Sequence, residues 1–278
     1  MLKIELNPQL TQPERAAITR YLTQHGQLST QEWLVALRAF DLLGNSTAII
    51  GEQRETFSAI HTRLVDQKHA DDFIEQLLKL KKDVRAKGER LKAAVARTIA
   101  RGLADAGLYQ QDIAETRYLL AYCYYWWNAF AKGYIFEVQI YRDLEGSGVE
   151  FTAHDIRDPI ERRSRSDLIV LGREGDIKTS TYFLTTARTQ IPRHDFYIAR
   201  LYDRQHRRYR VAVIMSEATW RDIDGDTVFT TLEKATTLFP QATQVRYANG
   251  VLVVVDYDGW KQRVKAQQQE ERDDRKTA

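Results

Sequence analysis

Residues 166–178 read Ser-Asp-Leu-Ile-Val-Leu-Gly-Arg-Glu-Gly-Asp-Ile-Lys and are the most informative stretch of the chain. Two short runs with strand-like composition are joined by a glycine-rich segment, a pattern typical of a β-hairpin. We expect a strand over 167–171, a turn over 172–175 and a second strand over 176–180. The sequence therefore predicts two adjacent antiparallel strands here.

The expected pairing sets Leu171 opposite Asp176. Side chains alternate between the two faces of a sheet along each strand. With this pairing, Asp167, Asp176 and Lys178 all lie on one face of the sheet. Leu168, Val170 and Ile177 lie on the other face. A loop of two or four residues keeps this arrangement, whereas an odd loop would reverse the faces of one strand.

Two carboxylates on one face of a sheet repel each other unless a cation lies between them. Carboxylate oxygens suit Mg²⁺, which binds one or two protein carboxylates together with phosphate oxygens and water. A lysine beside such an ion can orient a water molecule and offset charge that develops on a phosphate. Asp167, Asp176 and Lys178 therefore point to the hydrolysis of a phosphodiester.

The same residues resemble the motif of the PD-(D/E)XK nuclease superfamily, to which many restriction endonucleases belong. Asp167 matches its first position and the run Asp176-Ile177-Lys178 matches its second; Ser166 stands in place of the proline. Many members carry a further acidic residue on the helix before the sheet, and Glu137 is placed for it. The resemblance covers roughly residues 130–215.

The resemblance implies a fold, a metal and a substrate. It predicts an α/β, restriction-endonuclease-like core, in which helices flank a central mixed sheet. It implies that Asp167, Asp176, Glu137 and the carbonyl of Ile177 hold Mg²⁺, for which Mn²⁺ can substitute, and that Lys178 orients the attacking water. The expected substrate is double-stranded DNA, cut by an endonuclease of restriction or phage-defence type that acts as a homodimer.

The first third of the chain reads as helices. Thr11 with Glu14, and Ser29 with Glu32, are capping boxes that predict two helix starts. A long helix is expected from Asp71 through Ile99. We therefore predict an all-helical N-terminal domain over 1–108, a nuclease domain over 109–260 and a charged C-terminal tail over 261–278.

Charge and cysteine content exclude some classes of protein. The 278 residues contain 41 Lys and Arg against 38 Asp and Glu, and a single cysteine, Cys123, which excludes an intramolecular disulfide framework. The N-terminal residues lack the apolar core of a signal peptide. The longest uncharged run, between Arg117 and Lys132, is too short to cross a bilayer. We expect a cytoplasmic protein without a membrane partner.

Two basic segments are candidates for contact with DNA phosphates. Nine basic residues and two acidic ones lie between Lys79 and Arg101, and this face is either solvated or a phosphate-binding face. The loop over 157–165 contains four arginines next to the predicted site. The residues assigned to nucleic-acid binding are Lys81, Arg85, Lys92, Arg162, Arg163 and Arg165.

Two alternatives stay open. The protein could keep the nuclease fold and bind nucleic acid without cleaving it, or it could be a helical interaction protein that uses the aromatic helix from Tyr118 to Phe130. Each site residue could also have an ordinary structural role, such as a turn or an exposed strand charge. His154 and His194 have no partner at metal-ligand spacing, and we expect an incidental surface role for both.

Overall fold

The computed structural model has two units, Met1–Ile135 and Phe136–Ala278, and the boundary falls within one long helix. The division predicted after residue 108 lies earlier in the chain. The structure describes residues 2–24, 28–65, 67–180, 193–202, 208–224, 246–247 and 250–277. The sequence also predicts helices over 182–190 and near Leu232, and both lie outside the described residues.

Two helices of the first unit begin where the capping boxes predict them. Thr11 and Ser29 accept hydrogen bonds from the backbone N–H groups of Glu14 and Glu32, and both capping boxes are complete. The helices are α1 (Gln12–Thr23), α2 (Thr30–Leu43), α3 (Phe57–Leu64), α4 (Gln67–Leu78), α5 (Val84–Asp105) and α6 (Thr116–Ser147). The last of these continues into the second unit.

The prediction of an all-helical N-terminal region is wrong, because the first unit also contains a three-stranded antiparallel sheet. Its strands are β1 (Leu2–Glu5), β2 (Thr47–Ile50) and β3 (Gln53–Thr56), in the order β1-β2-β3. Strand β2 is rich in β-branched residues, which favour extended backbone. Gly51 follows it with a positive φ of 61° and makes the tight turn into β3.

The prediction of one long helix from Asp71 through Ile99 is also wrong, since the chain forms two helices with a break between Leu78 and Val84. Asp83 has a left-handed φ of 55°, which interrupts helical geometry. The break holds three closely spaced lysines, Lys79, Lys81 and Lys82. Lys81 therefore lies in the connection and not on a helix.

The aromatic part of α6 packs inside the first unit. The indole of Trp127 is 1% exposed and lies edge-on to Phe73, with ring centroids 5.1 Å apart. Its Nε1 donates to the backbone carbonyl of Lys92 at 2.9 Å. Tyr125 stacks on Phe40 at 4.0 Å. These side chains form core contacts, which reduces the case for an interaction surface on this helix.

The second unit is built on a mixed sheet. Its strands are β4 (Thr152–Ala153), β5 (Leu168–Val170), β6 (Arg173–Lys178), β7 (Phe196–Tyr202), β8 (Tyr209–Ser216), β9 (Arg246–Tyr247) and β10 (Gly250–Asp256). The order is β4-β5-β6-β7-β8-β10, with the two-residue β9 beside β10. Neighbours are antiparallel except β6 and β7, which are parallel. Helices α7 (Glu217–Asp224) and α8 (Tyr257–Thr277) complete the unit.

The C-terminal segment predicted as a charged tail belongs to α8 and is helical to Thr277. Val264 is fully buried, and Gln268 is 8% exposed. The Gln268 amide accepts from the N–H of Glu150 at 2.9 Å and donates to its carbonyl at 2.7 Å. These two bonds satisfy backbone groups next to β4 and give the helix a structural role. Among the described residues, no helix is long and apolar enough to span a bilayer.

The β5–β6 hairpin has a different register from the predicted one. Val170 pairs with Arg173, so the loop contains only Leu171 and Gly172. Both have positive φ, 51° and 70°, as a two-residue hairpin turn of type I′ requires. The predicted four-residue loop is therefore wrong. Because two and four are both even, Asp176 still lies on the face that the prediction gives it.

Gly175 cannot carry a side chain without disturbing this hairpin. A Cβ atom at Gly175 would lie 2.1 Å from the ring of Phe196, which is 1% exposed. We expect Gly175→Ala to destabilise the protein by about 1–3 kcal/mol, the usual cost of overpacking. Thermal unfolding should show a lower Tm, whereas Gly146→Ala, with no neighbour within 4 Å of the added Cβ, should leave it unchanged or higher. Equal Tm values would contradict the packing of this strand.

Candidate metal and catalytic site

Three adjacent strands bring the predicted strand residues together in the second unit. The N–H of Asp167 donates to the carbonyl of Gly175 at 3.0 Å, which extends the pairing of β5 with β6. Its carboxylate Oδ2 accepts from the N–H of Ile177 at 2.6 Å. On the other side, the N–H of His154 donates to the carbonyl of Asp167 at 3.1 Å. Asp167 is thus held between β4 and β6.

Glu137 joins this group from α6. It is 7% exposed, and its Oε1 lies 2.8 Å from the hydroxyl of Tyr141, one turn along the same helix. The Tyr141 hydroxyl is also 2.8 Å from the carbonyl of Asp167. Tyr141 therefore connects the helix to the start of β5 and fixes where the Glu137 carboxylate lies relative to the strands.

His154 is part of the site, and the expectation that it has an incidental surface role is wrong. Its side chain is 8% exposed, and Nε2 lies 2.6 Å from Glu137 Oε1. On the other side of the ring, Nδ1 is 2.9 Å from Ser164 Oγ. Burial favours the neutral ring, but the hydrogen bond to Glu137 and the charges of Glu137 and Asp167 outweigh it and raise the pKa of His154.

Glu137, His154 and Asp167 form a group that can hold a metal ion. Each offers one ligand atom, and these three atoms lie within 4.8 Å of one another. Burial, with the nearby charges of Glu137 and Asp176, raises the pKa of Asp167 to about 8. A cation placed beside such a buried carboxylate stabilises its charged form. The donor set therefore fits a divalent metal.

Asp176 and Lys178 form an ion pair at the edge of this group. Lys178 Nζ lies 2.8 Å from Oδ1 and 2.6 Å from Oδ2 of Asp176. The side chain of Asp176 is 7% exposed and that of Lys178 is 40% exposed, so the ammonium group is open to solvent or to a ligand. His194 Nε2 lies 3.8 Å from Asp176 Oδ2, and burial lowers the pKa of His194. The expected surface role of His194 is therefore also wrong.

The arginine-rich loop between β4 and β5 is anchored by its own hydrogen bonds. The N–H of Asp155 donates to the Glu161 carboxylate at 2.6 Å, and the N–H of Ile160 donates to Asp158 Oδ1 at 2.7 Å. Arg165 is 72% exposed and lies 3.3 Å from Glu174. Arg162 is half-buried. The side chain of Arg163 lies outside the described part of the chain.

The predicted basic residues of the first unit differ in exposure. Lys81 and Arg85 are exposed, the first in the break before α5 and the second in its first turn. The side chain of Lys92 is only 14% exposed and pairs with Glu89. Lys92 is thus less accessible to a phosphate than its neighbours.

The sequence reasoning found Glu137, Asp167, Asp176 and Lys178 but missed His154 and the residues that hold it. No short spacing links His154 to Glu137 or Asp167, because a helix, a two-residue strand and a loop separate them. The available signal was its position directly after a β-strand, beside the loop that leads into the motif.

Comparisons with models of protein families, with curated proteins and with solved structures find no match to this chain. The function of the chain is therefore inferred from the geometry of this site.

Proposed function

We propose that the chain is a metal-dependent endodeoxyribonuclease that hydrolyses phosphodiester bonds of double-stranded DNA. The observation that carries this proposal is the convergence of Glu137, Asp167 and the Asp176–Lys178 pair in one unit. Three carboxylates and an ammonium group supply a divalent-cation site with a cationic group beside it. This combination suits a phosphate better than it suits a neutral substrate.

In this mechanism, Asp167, Asp176, Glu137 and the Ile177 carbonyl would hold Mg²⁺ or Mn²⁺. When bound, the ion supplies a Lewis acid that offsets the charge of the scissile phosphate. The exposed ammonium of Lys178 orients a water molecule for attack at phosphorus. The N–H of Ile177 fixes Asp167 through the 2.6 Å hydrogen bond, which holds one carboxylate oxygen in a constant position.

The arrangement of the described elements supports the PD-(D/E)XK resemblance. Helix α6, which carries Glu137, is followed by the antiparallel strands β4, β5 and β6 and then by β7, which is parallel to β6. The resemblance implies this order of elements together with a helix over 182–190, which lies outside the described residues. Cleavage of both strands of a duplex would be served by a two-fold homodimer.

Cleavage that depends on a divalent metal is the direct test. We expect the purified protein to cut plasmid DNA with Mg²⁺ or Mn²⁺ and to stop when a chelator is added, because the carboxylates would then lack their cation. Gel electrophoresis of supercoiled and linear DNA measures this. Binding without cleavage under both metals would instead favour the non-cleaving nucleic-acid-binding protein, and neither binding nor cleavage would favour an interaction protein.

The basic segment around the start of α5 should contribute to DNA affinity. Replacing Lys81, Lys82 and Arg85 together with glutamate should reduce the slope of log K against log salt by up to about 3, since each phosphate contact contributes about 0.9. Fluorescence anisotropy at several salt concentrations measures the slope. Lys92 is left unchanged because it pairs with Glu89.

A control variant tests the effect of charge alone. It makes the same change to glutamate at Lys3, Arg54 and Lys276, whose side chains are 68%, 61% and 76% exposed. This control variant should keep a slope close to that of the wild type. If both triple variants change the slope equally, the segment from Lys81 to Arg85 has no specific role in phosphate binding.

A further inference from the structure

His154 offers the site a nitrogen ligand that the carboxylates alone would not provide. Its ring is held on both sides, by Glu137 Oε1 at 2.6 Å from Nε2 and by Ser164 Oγ at 2.9 Å from Nδ1. With 8% of its side chain exposed, the imidazole lies within the buried group and is not a solvated surface side chain.

The hydrogen bonds of Ser164 determine which ring nitrogen carries the proton. The Ser164 hydroxyl has one hydrogen, and it donates that hydrogen to the carbonyl of Ser166 at 2.7 Å. At His154 the same oxygen can therefore only accept, which requires a proton on Nδ1. Nε2 is then the nitrogen that faces Glu137 Oε1, and a metal ion bound at Nε2 would take the place of the proton that these two atoms share at 2.6 Å. Metal-binding histidines are fixed in the same way, by an acceptor at the other ring nitrogen.

The spacing of the candidate ligand atoms suits one ion. Metal–ligand bonds of about 2.1 Å set neighbouring ligand atoms about 3 Å apart and opposite ones about 4.2 Å apart. His154 Nε2 and Glu137 Oε1 are 2.6 Å apart, and the His154 ring approaches Asp167 Oδ1 at 3.9 Å through Nδ1. One ligand atom from each of the three residues lies within 4.8 Å of the other two. Small side-chain adjustments would bring them onto one cation.

We infer that His154 is a ligand of the metal and that this nitrogen ligand makes the site selective for Mn²⁺ over Mg²⁺. Mg²⁺ prefers oxygen ligands and retains its waters, whereas imidazole suits the first-row transition metals. The inference rests on the metal-dependent cleavage proposed above and narrows the choice of its metal cofactor to Mn²⁺. It leaves the roles of Asp176 and Lys178 unchanged.

The test measures metal binding by the full chain without DNA. Titration with Mn²⁺, followed by the loss of the electron paramagnetic resonance signal of free Mn²⁺, gives the Mn²⁺ affinity, and displacement by Mg²⁺ gives the Mg²⁺ affinity. We expect the wild type to bind Mn²⁺ at least about tenfold more tightly than Mg²⁺. His154→Gln should lower Mn²⁺ affinity by more than about 10- to 100-fold, the loss that follows removal of a residue that only supports a metal ligand, and should abolish the preference.

Two more variants make the result specific to the nitrogen ligand. His154→Glu supplies oxygen in place of nitrogen, so it should still bind both ions but with little preference for Mn²⁺. Ser164→Ala leaves the ring but removes the acceptor that fixes its tautomer, so a smaller loss of Mn²⁺ affinity is expected. These two variants decide the matter if His154→Gln does not fold, which circular dichroism will show.

The outcomes separate this inference from the proposed function. If the wild type binds and uses both metals and the His154 variants keep its affinities and its preference, His154 is not a ligand and the nuclease proposal is untouched. If the wild type binds neither ion, both the inference and the metal-dependent mechanism are overturned.

Discussion

Asp176→Asn should reduce DNA cleavage by about a thousandfold or more while DNA binding persists. The substitution removes the charge of a buried carboxylate that would hold the metal, and metal stabilisation of a phosphoryl group accounts for several kcal/mol of the barrier, with each 1.36 kcal/mol worth tenfold in rate. Less negative charge at the site also reduces repulsion of DNA phosphates. We therefore expect equal or slightly tighter binding, measured by anisotropy with the same duplex used for the rate.

Lys178→Ala tests the other half of the pair. It leaves every carboxylate in place, so it should still bind metal but cleave very slowly, since the ammonium that contacts Asp176 at 2.6 Å is missing. The matched control for Asp176→Asn is Asp258→Asn, which removes the charge of an exposed carboxylate that pairs with Lys261 in α8. This control variant should cleave DNA like the wild type. Wild-type rates for Asp176→Asn would rule out the proposed mechanism.

The sequence predicted the face of each motif residue better than it predicted their register. Alternation along a strand depends only on parity, so an even loop of either length gives the same answer. The register depended on where the turn lies, and the turn uses Leu171 with a positive φ of 51°. A branched apolar residue is uncommon in that conformation. The amino-acid sequence therefore favoured a turn over 172–175 instead of the observed turn at Leu171 and Gly172.

Long-range pairing explains what was missed. His154 lies in the site because its backbone N–H donates to the carbonyl of Asp167, which joins the neighbouring strands β4 and β5. No local sequence pattern predicts that contact. The N-terminal sheet was missed for a similar reason. Strand β1 pairs with β2 across two intervening helices, and each strand has only four residues, which is too short for a distinct alternation.

Local signals were sufficient where the structure is determined locally. The two capping boxes form as the sequence predicts, because the interaction spans only three residues. The helix break at Asp83 was not predicted, because regular apolar spacing continues across it and the left-handed residue that interrupts it carries no distinct signal.

Glu137→Gln should lower the cleavage rate by about a hundredfold or more with little change in stability. Glutamine keeps an oxygen that can accept from the Tyr141 hydroxyl, now 2.8 Å from Glu137, but it removes one negative charge from the group that includes Asp167. Because that charge helps to raise the pKa of Asp167, its loss relieves repulsion in the metal-free protein. A change below about 1 kcal/mol corresponds to a Tm shift of at most a few degrees.

The control for Glu137 lies two turns further along the same helix. Glu145 is 51% exposed and pairs with Arg142, so Glu145→Gln makes the same chemical change outside the site and should leave both rate and Tm unchanged. Rates with Mn²⁺ and thermal unfolding, measured on both variants, separate a catalytic loss from a structural one. If Glu137→Gln cleaves at the wild-type rate, Glu137 is not a metal ligand, and the carboxylates and lysine of β5 and β6 alone would have to support the nuclease assignment.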